Sequence, residues 1–164
     1  MKMNLKKVLF MGFAILGPIL GFSQTTINGK TAVGTWKTVD DETGKAKSYV
    51  KISENNGVYE AKIIKLLDPE TLKDSKTPDN PVDLLCSKCP EGKGKDQPIL
   101  GLKMIWGLTA EDDNYEGGKI MDPKSGKIYT CTMELDEEDK SGDVLLVKGW
   151  IAFFNRTQTW YRVD

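Results

Sequence analysis

The sequence predicts an all-β protein: a single eight-stranded antiparallel up-and-down barrel with one long loop between its third and fourth strands. Two observations lead there. After the first 23 residues, short runs alternate apolar and polar residues with period two, turn-forming residues separate them, and no helical stripe interrupts. Eight consecutive hairpin-linked strands with one apolar face each must bury those faces without leaving long edges, and closure into a barrel does both. A two-sheet sandwich is the alternative packing of the same strands.

The first run is Gly34 to Val39, and Asp40-Asp41-Glu42-Thr43-Gly44 turns it into the second, Lys45 to Ser53, with Ala46, Ser48, Val50 and Ile52 on one face. Glu54-Asn55-Asn56-Gly57 is a hairpin signal, because Asn and Gly accept positive φ at low cost. The third run, Val58 to Leu66, groups Tyr59, Ala61 and Ile63. From Asp68 to Gln97 the alternation stops for 30 residues rich in charge and proline, which reads as a long loop of the kind that forms lids or binding excursions. Pro69 to Lys73 or Pro81 to Leu85 is expected to form a single helical turn within it.

Alternation resumes at Ile99 to Leu108, with Leu100, Leu102, Met104, Trp106 and Leu108 on one face. Asn114 to Met121 follows, then the turn Asp122-Pro123-Lys124-Ser125-Gly126, with Asp and Pro leading and Gly at its exit. Lys127 to Leu135 groups Tyr129, Cys131, Met133 and Leu135. Glu137 to Gly142 turns the chain into a strongly apolar run, Asp143 to Phe154, and Thr157 to Val163 ends it.

Ahead of the barrel, Lys2, Lys6 and Lys7 precede an apolar stretch from Val8 to Leu20 that Gly12, Gly17 and Pro18 interrupt, and Gly21 and Ser23 offer small residues at a cleavage point. Residues 1–23 are therefore expected to be a secretory signal peptide, with residues 24–164 the mature domain in the periplasm or outside the cell. A transmembrane anchor needs about 20 nearly unbroken apolar residues, so none is expected after cleavage. Removing three lysines turns 23 basic residues into 20 against 24 acidic ones. Both signs are interspersed, so no nucleic-acid partner is expected.

The chain has no histidine, which excludes a Ser-His-Asp triad, a Cys-His pair and a His-ligated zinc. No metal or cofactor site is expected. Asp40, Asp41, Glu42, Asp122 and the acids from Asp136 to Asp139 sit in turns, where carboxylates commonly cap backbone N–H groups, and no nucleophile has an evident base. The sequence leans away from an enzyme.

Cys86 and Cys89 form a C-x-x-C and Cys131 stands alone. A redox pair would need its first thiol at a helix N-terminus, and the segment Cys86 to Lys95 breaks helices. A zinc site would lack a fourth ligand. A local structural disulfide between Cys86 and Cys89 is the favoured reading for an exported protein, with Cys131 a buried strand residue or an alternative partner.

Gly34-Thr35-Trp36 resembles the G-x-W of lipocalins and related barrels, whose strand-one tryptophan packs against an arginine from the last segment. Arg156 and Arg162 both stand in that region, with Arg156 the expected partner. Further motifs are Asp40 with Thr43-Gly44, the C-x-x-C, Pro98, Gly101, the stretch from Gly117-Gly118-Lys119-Ile120 through Asp122-Pro123 and Gly126-Lys127 to Tyr129, and the terminal Arg156-Thr157-Gln158-Thr159-Trp160 with Arg162-Val163. Together they resemble the exported bacterial Domain of Unknown Function 2147 family over essentially the whole mature chain. The resemblance implies a small periplasmic or secreted lipocalin-like barrel and brings no established activity.

Such a barrel is expected to bind one small molecule, partly apolar or acidic, in the cell envelope. Trp36, Tyr129, Trp150, Arg156, Gln158 and Trp160 are the candidate contacts. An arginine facing the lumen would favour a carboxylate ligand, whereas one stacked on Trp36 would be structural. The alternative is docking on another envelope protein, for instance through the 68–97 loop.

Overall fold

The structure, a computed structural model, describes residues 26–164; the expected signal peptide lies outside them. Eight strands run in chain order, β1 (Gly34–Val39), β2 (Ala46–Asn55), β3 (Val58–Leu66), β4 (Lys103–Glu111), β5 (Asn114–Met121), β6 (Ile128–Leu135), β7 (Val144–Ile151) and β8 (Phe154–Arg162). Each pairs antiparallel with its neighbour, and β8 pairs with β1 to close the barrel. A four-residue helix, α1 (Pro69–Leu72), starts the long β3–β4 connection. It begins there because Asp68 caps it, accepting from the Glu70 N–H at 3.3 Å, and proline occupies its first turn. No helix among the described residues is long and apolar enough to cross a membrane.

The inward faces follow the predicted alternation on most strands. Trp36, Val50, Ile52, Tyr59, Ala61, Ile63, Met133, Leu135, Leu145, Val147 and Trp160 are buried in one core. On β4 the reading fails. The strand starts at Lys103, and Gly107, at φ 76°, breaks the alternation, so Ile105 and Leu108 face inward while Trp106 pairs with Lys119 on the outside. The seventh run also ends sooner than expected, at Ile151, and β8 starts at Phe154.

The two ends of the barrel differ. The base holds the β2–β3, β4–β5 and β6–β7 turns and is sealed by residues 26–33. There the Ala32 N–H donates to the Tyr115 hydroxyl at 3.0 Å, and the Tyr59 and Tyr115 rings meet edge to face at 4.7 Å. The opposite end, the mouth, carries the β1–β2, β5–β6 and β7–β8 turns and the long loop.

That loop is ordered. Its Cys86 N–H donates to Gln97 O, its Ile99 N–H to Leu84 O, both at 2.8 Å, and Leu72, Leu84 and Ile99 pack on the main core. Cys86 and Cys89 are joined in a disulfide, and with Leu102 and Met121 they form a second buried cluster. Met121, which follows inward-facing Ile120, is thus covered from outside the wall. A side chain at Gly126, φ 71°, would collide with the Lys88 carbonyl, so glycine lets the β5–β6 turn dock against the cysteine segment.

Candidate functional site

Register places the six candidate contacts in three different environments. Trp36 is 0% exposed, and its indole N–H donates to Ala32 O at 2.8 Å, so it belongs to the sealed base. The arginine over its ring is Arg162, with Cζ 4.2 Å from the ring centre. The expectation that Arg156 fills this role is thereby corrected. The physical reason is the β1–β8 register, which sets Trp36 against Arg162. Arg162 donates to Thr31 O at 2.6 Å, Val33 O at 3.0 Å and Gly142 O at 3.2 Å, and its Nε lies 3.2 Å from Asp143. It ties the N-terminal segment and the β6–β7 turn to the barrel. Gly34 makes the room, since any side chain there would strike the Arg162 guanidinium.

Trp150 pairs with Thr130 and Asn155, opposite in phase to the inward Cys131, Gly149 and Arg156, and so sits on the outer wall. Its indole N–H donates to Thr132 Oγ1 at 3.3 Å. Trp160 is inward and wholly buried, donating to the Gln158 side-chain oxygen at 3.1 Å.

The remaining three, Tyr129, Gln158 and Arg156, lie on inward positions of the mouth half. Around them small and polar side chains mix with apolar ones: Leu66 pairs with Ser48, and Ile120 and the loop residues Leu72, Leu84 and Ile99 pack on the same core. Thr38 and Ser48 share a hydroxyl hydrogen bond of 2.9 Å, Ala46 follows on β2, and Gly149 lies opposite Cys131, close to Tyr129 and Ile120. Tyr129 and Gln158 remain partly exposed although they point inward. Above Trp160, Ile63 and Val147 the mouth half thus carries hydroxyl and amide groups among its apolar side chains.

Arg156 stands at the rim, half exposed. Its Nε donates to both Asp41 carboxylate oxygens at 2.8 and 2.7 Å, its Nη2 also reaches Asp41, and Glu42 lies 3.7 Å away. These hydrogen bonds hold the Asp41 carboxyl below its ordinary range. The clasp joins the β1–β2 turn to β8 above the point where β1–β8 pairing ends, at Lys37 and Tyr161. Arg156 is therefore already neutralised by two acids that had seemed only turn formers. Cys131 is buried, and desolvation pushes its thiol up to about 12, which makes it inert as a nucleophile. No group of three or more Cys, Asp or Glu among the described residues could hold a metal ion.

Outside the barrel, two shallow grooves flank the long loop. One of about 530 Å³ lies between Lys93, Pro98, Leu100 and Trp106, with the Lys93 ammonium 4.8 Å from the Trp106 ring centre. The other, about 470 Å³, lies between β3 and α1. Sequence reasoning missed the first because it turned Trp106 inward.

A closed eight-stranded barrel with a sealed base and an arginine over the first-strand tryptophan defines a lipocalin-like protein. The fold agrees with the structure of the Helicobacter pylori protein HP1028, described as belonging to the lipocalin family, at 20% identity and a TM-score of 0.61 over 80% of this chain and 82% of that one. Residues 34–162 match the model of the Domain of Unknown Function 2147 family, described as uncharacterized protein conserved in bacteria, and the chain belongs to that family. No curated protein matches it.

Proposed function

We propose that the protein is an exported binding barrel of the cell envelope whose mouth half forms a cup for one small, partly apolar molecule bearing uncharged hydrogen-bonding groups. The observation that carries this is the contrast between the two halves. Aromatic rings fill the base, whereas the inward positions of the mouth half hold Thr38, Ser48, Gly149 and a partly exposed Gln158 and Tyr129. An eight-stranded barrel has room for a core or for one small ligand, and here the buried aromatic residues are gathered towards one end. Because Arg156 is occupied by Asp41 and Glu42, the rim favours a neutral ligand over an acid.

Titration of the mature chain with an apolar environment-sensitive dye, followed by displacement with matched long-chain alcohols and acids, tests the reading. Saturable binding is expected, displaced better by the alcohol and abolished by Gln158→Trp, which fills the cup. Gly149→Val, which narrows it against Tyr129, should weaken binding while leaving the melt nearly unchanged. Dye binding indifferent to both substitutions would overturn the proposal. Recovery of the chain from envelope fractions, starting near Gln24, tests export.

A further inference from the structure

We infer that the β7–β8 hairpin tip is a wedge that inserts into a phospholipid surface and sets the barrel mouth against it. Phe153 is 95% exposed, Phe154 81% and Ile151 54%, and Ile128, on the neighbouring β6 strand, is 38% exposed. Three large apolar side chains thus project together from one hairpin tip, with Ile128 exposed on the adjacent strand, the kind of surface that marks an interaction site. Trp150 stands on the outer wall just below, an amphipathic ring of the type that settles at headgroup depth.

Folding does not ask for these residues. Ile151 pairs with Phe154, leaving Ala152-Phe153 as a two-residue turn with Ala152 at φ 51°. A two-residue turn with only its first central residue at positive φ favours glycine there, because a left-handed alanine costs about 1 kcal/mol or more. The chain uses Asn56-Gly57 where it needs only a turn. An apolar tip in a strained conformation breaks the local rule without any intramolecular packing in return, which points to a role outside the fold.

Shape and charge name the occupant. The tip is convex and two residues wide, so a rigid partner would need a matching cleft, whereas a lipid phase closes around it. Beside it, Lys124 and Lys127 on the β5–β6 turn and Lys45 on the β1–β2 turn make no ion pair among the described residues. Of the acids on these turns, Asp41 and Glu42 face Arg156, whereas Asp40 and Asp122 keep their charge and accept from the neutral Thr43, Lys124 N–H and Ser125 Oγ. An exposed apolar tip on a mouth whose turns carry lysines without an ion pair suits a surface of phosphate headgroups over hydrocarbon. The wedge rests on the exposure of the tip beyond the rim, so it holds whether or not the cup takes a ligand.

Flotation of the mature chain with phosphatidylcholine vesicles, and with vesicles containing phosphatidylglycerol, tests the inference. Wild type is expected to float with both, more with the anionic ones and less as salt rises. Phe153→Ser with Phe154→Ser should weaken partition about tenfold or more, and its thermal melt, unchanged or higher, shows that the fold survives. Lys124→Gln with Lys127→Gln should keep the phosphatidylcholine binding and lose the anionic gain. Failure of wild type to float with either vesicle, or equal flotation of the serine variant, overturns the wedge. So does a concentration-dependent dimer that the serine variant abolishes, since the tip would then be an interface between copies of the chain.

Discussion

The guanidinium of Arg162 lies 4.2 Å from the centre of the Trp36 ring, above the gap that Gly34 leaves open. One contact thereby joins both ends of the described chain. Arg162 also donates to three backbone carbonyls in the base, with its side chain only 8% exposed. Trp36→Ala should cost about 3 to 5 kcal/mol, as a fully packed tryptophan lost from a core does. Arg162→Lys keeps the charge but strands buried carbonyls, at about 1 to 3 kcal/mol. Arg156→Lys, at a half-exposed ion pair, should cost less than about 1 kcal/mol. Urea melts that rank Arg156→Lys above Arg162→Lys would contradict the assignment.

The pairing also marks how far the sequence can be read. Trp36 announces itself through Gly34-Thr35-Trp36, but Arg156 and Arg162 both fall on the inward phase of the last strand, and alternation alone cannot separate them. Only the register of β1 against β8 does, and register depends on where every earlier hairpin closes. The same limit hid the tip: Ile151, Ala152, Phe153 and Phe154 carry no turn chemistry, so Asp143 to Phe154 reads as one strand. On β4 a single bulge at Gly107 turned Trp106 from lumen to surface. Where turns follow the usual chemistry, as at Asn56-Gly57 and Asp122 to Gly126, strand boundaries were legible to within a residue or two.

Acid stability should depend on Asp164. It accepts from the Thr35 N–H and hydroxyl, both at 2.7 Å, and pairs with Lys51, so its carboxyl is lowered to about 2. A carboxyl depressed in the folded state adds stability that is present above its unfolded pKa, near 3.8, and is lost as pH falls towards 2. Half-exposed side chains limit the effect to less than about 1 kcal/mol. Asp164→Asn should flatten the decline of the melting temperature between about pH 4 and pH 2, and an unchanged slope would refute the linkage.

The cysteines should behave as structural groups. Cys131 is buried with its thiol pushed up to about 12, so iodoacetamide at pH 8 should label it only after denaturation. Closing the Cys86–Cys89 ring removes little chain entropy, so Cys86→Ser with Cys89→Ser should still fold, losing less than the roughly 3 kcal/mol expected for a 15-residue loop. Insulin reduction by the native protein would show a redox role instead.

Docking of the cysteine segment on the barrel should be separable from barrel stability. Gly126→Ala places a methyl group against the Lys88 carbonyl at φ 71°, and the left-handed backbone alone costs a non-glycine residue about 1 kcal/mol or more. Hydrogen exchange should accelerate at the Cys86 and Ile99 amides, which bond within the loop, and stay slow in β2 and β7. Uniform acceleration across the barrel would mean that the loop and the barrel unfold as one unit.

The rim clasp makes the most direct test of ligand charge. Arg156 is held by Asp41 and Glu42, and since its hydrogen bonds keep Asp41 ionised below the ordinary carboxylate range, the clasp persists at neutral pH. Asp41→Asn with Glu42→Gln leaves the guanidinium without an acidic partner while changing no inward wall residue. If the cup takes a ligand whose head reaches the rim, the variant should prefer a long-chain acid over the matched alcohol by up to about fivefold more than wild type does. That is the scale of one exposed ion pair. Stability should fall by less than about 1 kcal/mol. An acid-to-alcohol ratio that does not move would place the ligand head away from Arg156, deeper in the cup beside Thr38, Ser48 and Gln158, where Gln158→Leu would then be the substitution that weakens the alcohol.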